Sequence, residues 1–118
     1  MPKTEILKLA DRVEALDGPD REVDRLIMSA MGWIGATPAF TASIDAALTL
    51  VPEGVGLTIT RYWIVTSDGP VWSAEIVTGG LAGNPRKVFD CYDTASPALA
   101  IVAASLRAIA GGGDEADV

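Results

Sequence analysis

The chain has 118 residues, enough for one domain with one core and too few for two. Nearly half of the residues are apolar, which excludes a disordered chain, and no stretch approaches the roughly 20 uninterrupted apolar residues of a membrane span. The formal net charge of −7 disfavours general DNA or RNA binding, because an acidic surface repels phosphate backbones.

The first predicted element is a helix from Thr4 to Leu16, with Ile6, Leu9, Ala10, Val13 and Leu16 at helical spacing. Asp17-Gly18-Pro19 breaks it, and Asp17 is placed to cap a second helix that runs to about Met31. Val23, Leu26, Ile27, Ala30 and Met31 form the apolar stripe of that helix, and Gly32 suits its C-terminal stop. Arg21, Glu22, Asp24 and Arg25 read as its solvated face. A loop follows from Trp33 to Ala39, with Trp33 expected as a lid over the core. Thr41 or Ser43 then caps a short helix ending near Val51, with Ile44, Ala47, Leu48 and Val51 inward.

Leu57 to Thr66 and Val71 to Thr78 are rich in β-branched and aromatic residues and read as strands. Ser67-Asp68-Gly69-Pro70 between them is a tight-turn signal, so the pair is a hairpin. Gly79 to Pro85 reads as a flexible turn, and Lys87 to Tyr92 as a third strand. Ser96-Pro97 opens a last, alanine-rich helix to about Ile109. Gly111 to Val118 reads as a flexible acidic tail that holds three of the sixteen acids, leaving 1–110 as a single domain.

In the first strand, Leu57, Ile59, Arg61, Trp63 and Val65 alternate with Thr58, Thr60, Tyr62, Ile64 and Thr66. Neither row is cleanly polar, which predicts cover on both faces of the sheet. The expected fold is α+β: a three-layer α/β/α sandwich with a small antiparallel sheet of about three strands and helices on both faces.

Arg21-Glu22-Val23-Asp24, followed by Met31-Gly32-Trp33, then Pro38, Phe40, Thr41, Ile44, Asp45 and Ala47, resembles the start of the phage ABA-sandwich domain family. The tryptophan-bearing hairpin and the pieces Ser96-Pro97-Ala98-Leu99-Ala100 and Ser105-Leu106-Arg107-Ala108 resemble its later part. The resemblance spans about Pro19 to Ile109. It implies a small protein encoded by a phage or prophage, with helices on both faces of a sheet, and it carries no activity. The Gly79 to Pro85 loop is longer than the family pattern.

Several side chains could carry chemistry, and each has a plainer structural use. Arg61 lies in an apolar row, where an arginine wants an anionic ligand, an acidic partner or an exit to water. Trp63, Trp72 and Tyr62 cluster on the hairpin, either as a stacking platform for a nucleotide base or as core. Arg86 and Lys87 are adjacent cations after a glycine-rich loop. That loop is neither a phosphate-binding loop nor a dinucleotide fingerprint, since no helix opens after it. Arg61, Trp63, Trp72, Arg86 and Lys87 are therefore the candidate ligand-binding residues.

The sequence has no histidine and one cysteine, Cys91. An intramolecular disulfide and the commonest general base are thereby excluded, and a zinc site is disfavoured. Cys91 reads as a small buried thiol. No catalytic constellation and no cofactor is expected. Met1 to Glu14 lack the apolar stretch of a secretory signal, so the expected compartment is the host cytoplasm. Two functions suit these features. One is a phage accessory protein that sequesters a small anionic nucleotide signal of host defence, as a homo-oligomer. The other is a module that docks on a host or phage protein through an acidic surface.

Overall fold

A computed structural model describes residues 3–66, 68–79 and 86–115, without the side chains of 112–115. The Gly79 to Pro85 loop lies mostly outside these residues, as do Ser67 of the expected turn and the last three residues of the tail. Helix α1 spans Lys3–Glu14 and buries Ile6, Leu9, Ala10 and Val13, the stripe expected from the spacing. Helix α2 spans Arg21–Met31. Its cap is Asp20, not Asp17: the Asp20 carboxylate accepts from the amides of Glu22 and Val23 at 2.9 and 3.1 Å. Pro19 thus stands outside the helix. Gly32 closes α2 with φ of 70°, and its neighbour Trp33 donates a backbone bond to Met28 O, a C-terminal motif that glycine adopts without strain.

Asp24, expected on the solvated face, is fully buried near the start of α2. One of its oxygens accepts from the Thr41 amide at 2.9 Å and from the Thr41 hydroxyl at 2.8 Å. The other accepts from Arg21, which also donates to the carbonyls of Thr37 and Pro38. This network ties the loop after α2 to the helix that precedes it. Trp33 packs beside Phe40 with ring centroids 6.1 Å apart, while remaining 43% exposed. Phe40 itself is fully buried, a burial that contributes roughly 2–3 kcal/mol. The residues that carry the family resemblance in this region therefore act here as a structural clamp.

Helix α3, Ile44–Leu48, is capped by Ser43, whose hydroxyl accepts from the Ala46 amide. It is shorter than expected. Only Ala47 of it is buried, and Leu50 in the turn beyond takes the inward place expected of Leu48, which stays 41% exposed together with Ile44.

Three antiparallel strands follow in the order β1-β2-β3: Gly56–Tyr62, Val71–Thr78 and Lys87–Thr94. Arg61 pairs with Trp72 and Ile59 with Ala74 in one ladder; Ala74 pairs with Cys91 and Thr78 with Lys87 in the other. Between Ala74–Cys91 and Trp72–Thr94, β3 spends one residue more than β2, a bulge that places Asp93 at φ of 59°. The last helix, α4, spans Pro97–Glu115 and so continues through Gly111, where a tail was expected. The Ser96 hydroxyl accepts from the Leu99 amide at its start.

Residues Ala98 to Leu106 of α4 are all buried. A helix that is apolar all round must be covered all round. The sheet covers one side of α4, and α1 and α3 pack on it elsewhere. Its many alanines let these neighbours approach closely. The α+β class, the three-stranded antiparallel sheet and the helices packed on it are as expected. The layers differ from the expected sandwich. Among the described residues only α4, and α1 at β3, touch the sheet, and the covered face is the row of Ala74, Ile76 and Cys91. The opposite face carries Thr58, Thr60, Tyr62, Ser73, Glu75 and Tyr92 around an open hollow of about 520 Å³. The reason lies in strand length. The first strand stops at Tyr62, so Ile64 falls in the loop and the row that remains is Thr58, Thr60, Tyr62, which can face water.

Candidate functional site

The five candidate binding residues fall into two groups at opposite ends of the sheet. Arg61 pairs with Trp72, and Lys87 pairs with Thr78, six positions further along β2. At the rise of an extended strand that is a separation of roughly 20 Å.

At the first end, Arg61 is exposed and its guanidinium lies over the Trp63 ring, 5.2 Å from the centroid. Trp63 is 62% exposed in the loop beyond β1. This is a cation–π contact at the surface, not a platform walled by protein. Trp72 alternates with Ala74 and Ile76 and packs, half-buried, against the core. Its carbonyl accepts from the buried Thr94 hydroxyl at 2.8 Å. Trp72 is thus a core residue, and Arg61 and Trp63 alone form the exposed pair.

At the other end, Lys87 lines a cavity of about 540 Å³ between the start of α1, the first half of β3 and the late turns of α4. Lys3, Lys87 and Arg107 supply its cations, and Leu7 and Phe89 its apolar walls. Gly111 forms part of the wall. A methyl group there would stand 2.2 Å from a Phe89 ring carbon, so the glycine is what admits the ring. Arg86 is exposed beside Lys87 but does not line the cavity.

Arg107 is the junction of this region. It donates to both oxygens of Glu14 at 3.1 Å, to Asp11 at 2.8 Å and to the Asp90 carbonyl at 2.8 Å. It joins α1, β3 and α4 at one point. The guanidinium's bonds hold the Glu14 carboxyl below its ordinary range, and the same bonds raise the pKa of Arg107 further. Cys91 lies beside this pair. Burial, and then the Glu14 charge, push its thiol up to about 12, so it is a weak nucleophile.

On the uncovered face, the Tyr62 hydroxyl donates to the Asp93 carboxylate, and the Asp93 amide donates back to the Tyr62 oxygen at 2.8 Å. This exchange holds the bulge residue in its left-handed conformation. Burial and then the Asp93 bond raise the pKa of Tyr62. Tyr92 donates to Asp90 at 3.1 Å, which raises its pKa in the same way. Among the described residues no group of three Cys, Asp or Glu side chains is placed to hold a metal ion, and no helix is long and apolar enough to cross a membrane.

Of the cavity's cations, the sequence points only to Lys87. Arg107 has a usable signal: it is the one charge within the apolar run from Pro97 to Gly113, and such a residue needs carboxylates supplied by another element. Lys3 and Phe89 have none, since their meeting depends on how α1 lies against β3. Compared with protein-family models, curated proteins and solved structures, the chain finds no match in any of the three.

Proposed function

We propose that the protein is a small binding module that takes an anionic molecule of the nucleotide class in the cavity between α1, β3 and α4. The observation that carries this reading is the meeting of Lys3, Lys87 and Arg107 with Leu7 and Phe89 around about 540 Å³, in a chain of net charge −7. The volume lies within the range of small-molecule sites. Two apolar walls suit a base or ribose, and cations at the rim suit phosphate. Arg107 is held by Asp11 and Glu14, so its part is to position the wall, and Lys3 and Lys87 add two further cations to the lining. A role as a phage or prophage accessory protein that withholds a host defence signal of this class, in the cytoplasm, extends this reading. It is supported by the family resemblance alone.

Isothermal titration of the full chain with AMP, ADP-ribose and a cyclic dinucleotide tests the reading. Saturable binding of one of them is expected, weakened at least about tenfold by Lys87→Glu and by rising salt. No binding to any of the three, together with a mass spectrum of the purified protein that shows polypeptide alone, would overturn it.

A second reading is a module that docks on another protein. It is favoured by the exposed apolar run Trp63-Ile64-Val65, in which Val65 is wholly exposed. A variant with Trp63→Ser and Val65→Ser would separate the two, leaving nucleotide binding intact and abolishing docking.

A further inference from the structure

We propose that β1 is the contact through which two copies of this chain pair, edge to edge and antiparallel, into a continuous six-stranded sheet. The sheet has two edge strands, β1 and β3. An edge strand presents unpaired amides and carbonyls, and proteins that must stay single protect such edges with charge, bulges or cover. The β3 edge has all three. Lys87, Asp90 and Asp93 lie along it, the bulge at Asp93 breaks its regularity, and α1 packs beside it. The β1 edge carries a single charge, Arg61, and has neither bulge nor cover among the described residues. Its seven residues pair with β2 without a register shift, and no other described element lies beside it in the sheet. It contains no proline and no acidic residue.

The β1 sequence, Gly-Leu-Thr-Ile-Thr-Arg-Tyr, also fits a copy of itself. Full overlap of two antiparallel copies centres the two-fold axis on Ile59. Ile59 then faces its own counterpart, Thr58 faces Thr60, Leu57 faces Arg61, and Gly56 faces Tyr62. Each Thr–Thr and Ile–Ile pair is a favourable cross-strand pair, and no like charges oppose. Pairing by a two-fold axis is self-complementary by construction.

Side-chain exposure points the same way. Ile59 belongs by alternation to the covered face of the sheet, with Ala74 opposite it, yet it is 38% exposed. The cover given by α4 runs out before the outer margin of β1. Beyond Tyr62 the apolar run Trp63-Ile64-Val65 continues past the end of the partner's strand. Seven paired residues alone make a small interface, and this exposed run is the apolar surface at hand to enlarge it. The hydroxyl rows of Thr58, Thr60 and Tyr62 would meet across the seam.

The test is the sedimentation of the full chain between about 1 and 100 µM, read with hydrogen exchange of the β1 amides. A dimer is expected, with the β1 amides slowing as concentration rises. Ile59→Lys places two ammonium groups face to face and is expected to raise the dimer dissociation constant roughly tenfold or more. Val88→Lys, on the opposite edge strand at a side chain of similar exposure, is expected to leave the dimer intact and serves as the control for fold and charge. Ile59→Cys supplies a second readout that needs no loss of stability. Directly opposed residues of an antiparallel pair lie within disulfide range, so mild oxidation is expected to yield a covalent dimer. A monomer throughout the concentration range overturns the proposal. So does a dimer that Ile59→Lys leaves unchanged and Ile59→Cys fails to cross-link. Neither outcome depends on the cavity beside Lys87.

Discussion

Arg107 and Glu14 stand 93 positions apart in the chain and meet in a two-pronged ion pair, each guanidinium nitrogen 3.1 Å from one carboxylate oxygen. The Arg107 side chain is 20% exposed and that of Glu14 is 36% exposed, so solvent screens the pair in part. Its geometry nonetheless fixes α1 against α4, the largest contact between helices in the fold. Arg107→Ala removes the pair and leaves the Asp90 carbonyl without its donor, at an expected cost of about 2–3 kcal/mol in urea unfolding.

The same pair sets a pH dependence. The folded-state pKa of Glu14 is depressed below its unfolded value, so its contribution to stability is fully present above the ordinary carboxylate range. It is lost as pH falls through the lower, folded pKa. Acid unfolding of the wild type is therefore expected to include a stability loss in that window which Glu14→Gln no longer shows. A Glu14→Gln variant with the wild-type acid profile would contradict this account.

Asp24 gives a second test. Its carboxylate accepts from both the Thr41 amide and the Thr41 hydroxyl inside the protein, and the Asp20 carbonyl stands further from that hydroxyl, at 3.3 Å. Asp24→Ala strands those donors and the clamp on the 33–43 loop, and is expected to cost about 3 kcal/mol or more. Arg21→Ala leaves the Thr41 bonds in place and is expected to cost less than half as much. Equal losses from the two variants, measured by thermal unfolding, would mean that the ion pair and not the Thr41 contact holds the loop.

Some of this is legible in the sequence and some is not, for physical reasons. Periodicity locates α1, α2 and all three strands because burial on one face repeats at a fixed spacing. The same periodicity puts Asp24 among four surface charges on α2, since a one-dimensional pattern does not show that Thr41 folds back onto it. The β1 rows look two-sided because further apolar residues follow Tyr62. Only the end of pairing at Tyr62 shows that they belong to the loop. The end of α4 is hidden by Gly111-Gly112-Gly113, which ordinarily stops a helix. Contact between Gly111 and Phe89 shows why glycine is kept inside this one. The candidate site is least legible of all, because it assembles Lys3, Lys87 and Arg107 from three elements.

That contact between Gly111 and Phe89 makes a prediction of its own. In an exposed helix, glycine to alanine is stabilising by roughly 1 kcal/mol. Here the added methyl would meet the Phe89 ring at 2.2 and 2.6 Å, so Gly111→Ala is expected to destabilise by about 1–3 kcal/mol. In a Phe89→Ala background the obstruction is gone, and the same substitution is expected to stabilise. A double-mutant cycle reads the change of sign. Additive effects would show that the ring moves aside without cost.

The separation of Arg61 from Lys87 makes the last prediction. With roughly 20 Å of strand between them, no single nucleotide touches both ends of the sheet. Lys87→Glu and Arg61→Ala must then act on different properties. If the cavity beside Phe89 is the binding site, Lys87→Glu weakens the salt-sensitive binding of the anion at least about tenfold. Arg61→Ala leaves its affinity within about twofold, because Arg61 offers only screened attraction at that range. Arg61→Ala instead removes the cation from the Trp63 ring. The expected readout is a change in tryptophan fluorescence with a fall of no more than about 5 °C in the unfolding midpoint, as befits an exposed contact worth about 0.5–1 kcal/mol. The reverse pattern, binding lost with Arg61 and retained in Lys87→Glu, would move the site to the exposed Arg61–Trp63 end. Both side chains stand open to solvent there, so the walls of such a site would have to come from the partner copy across β1.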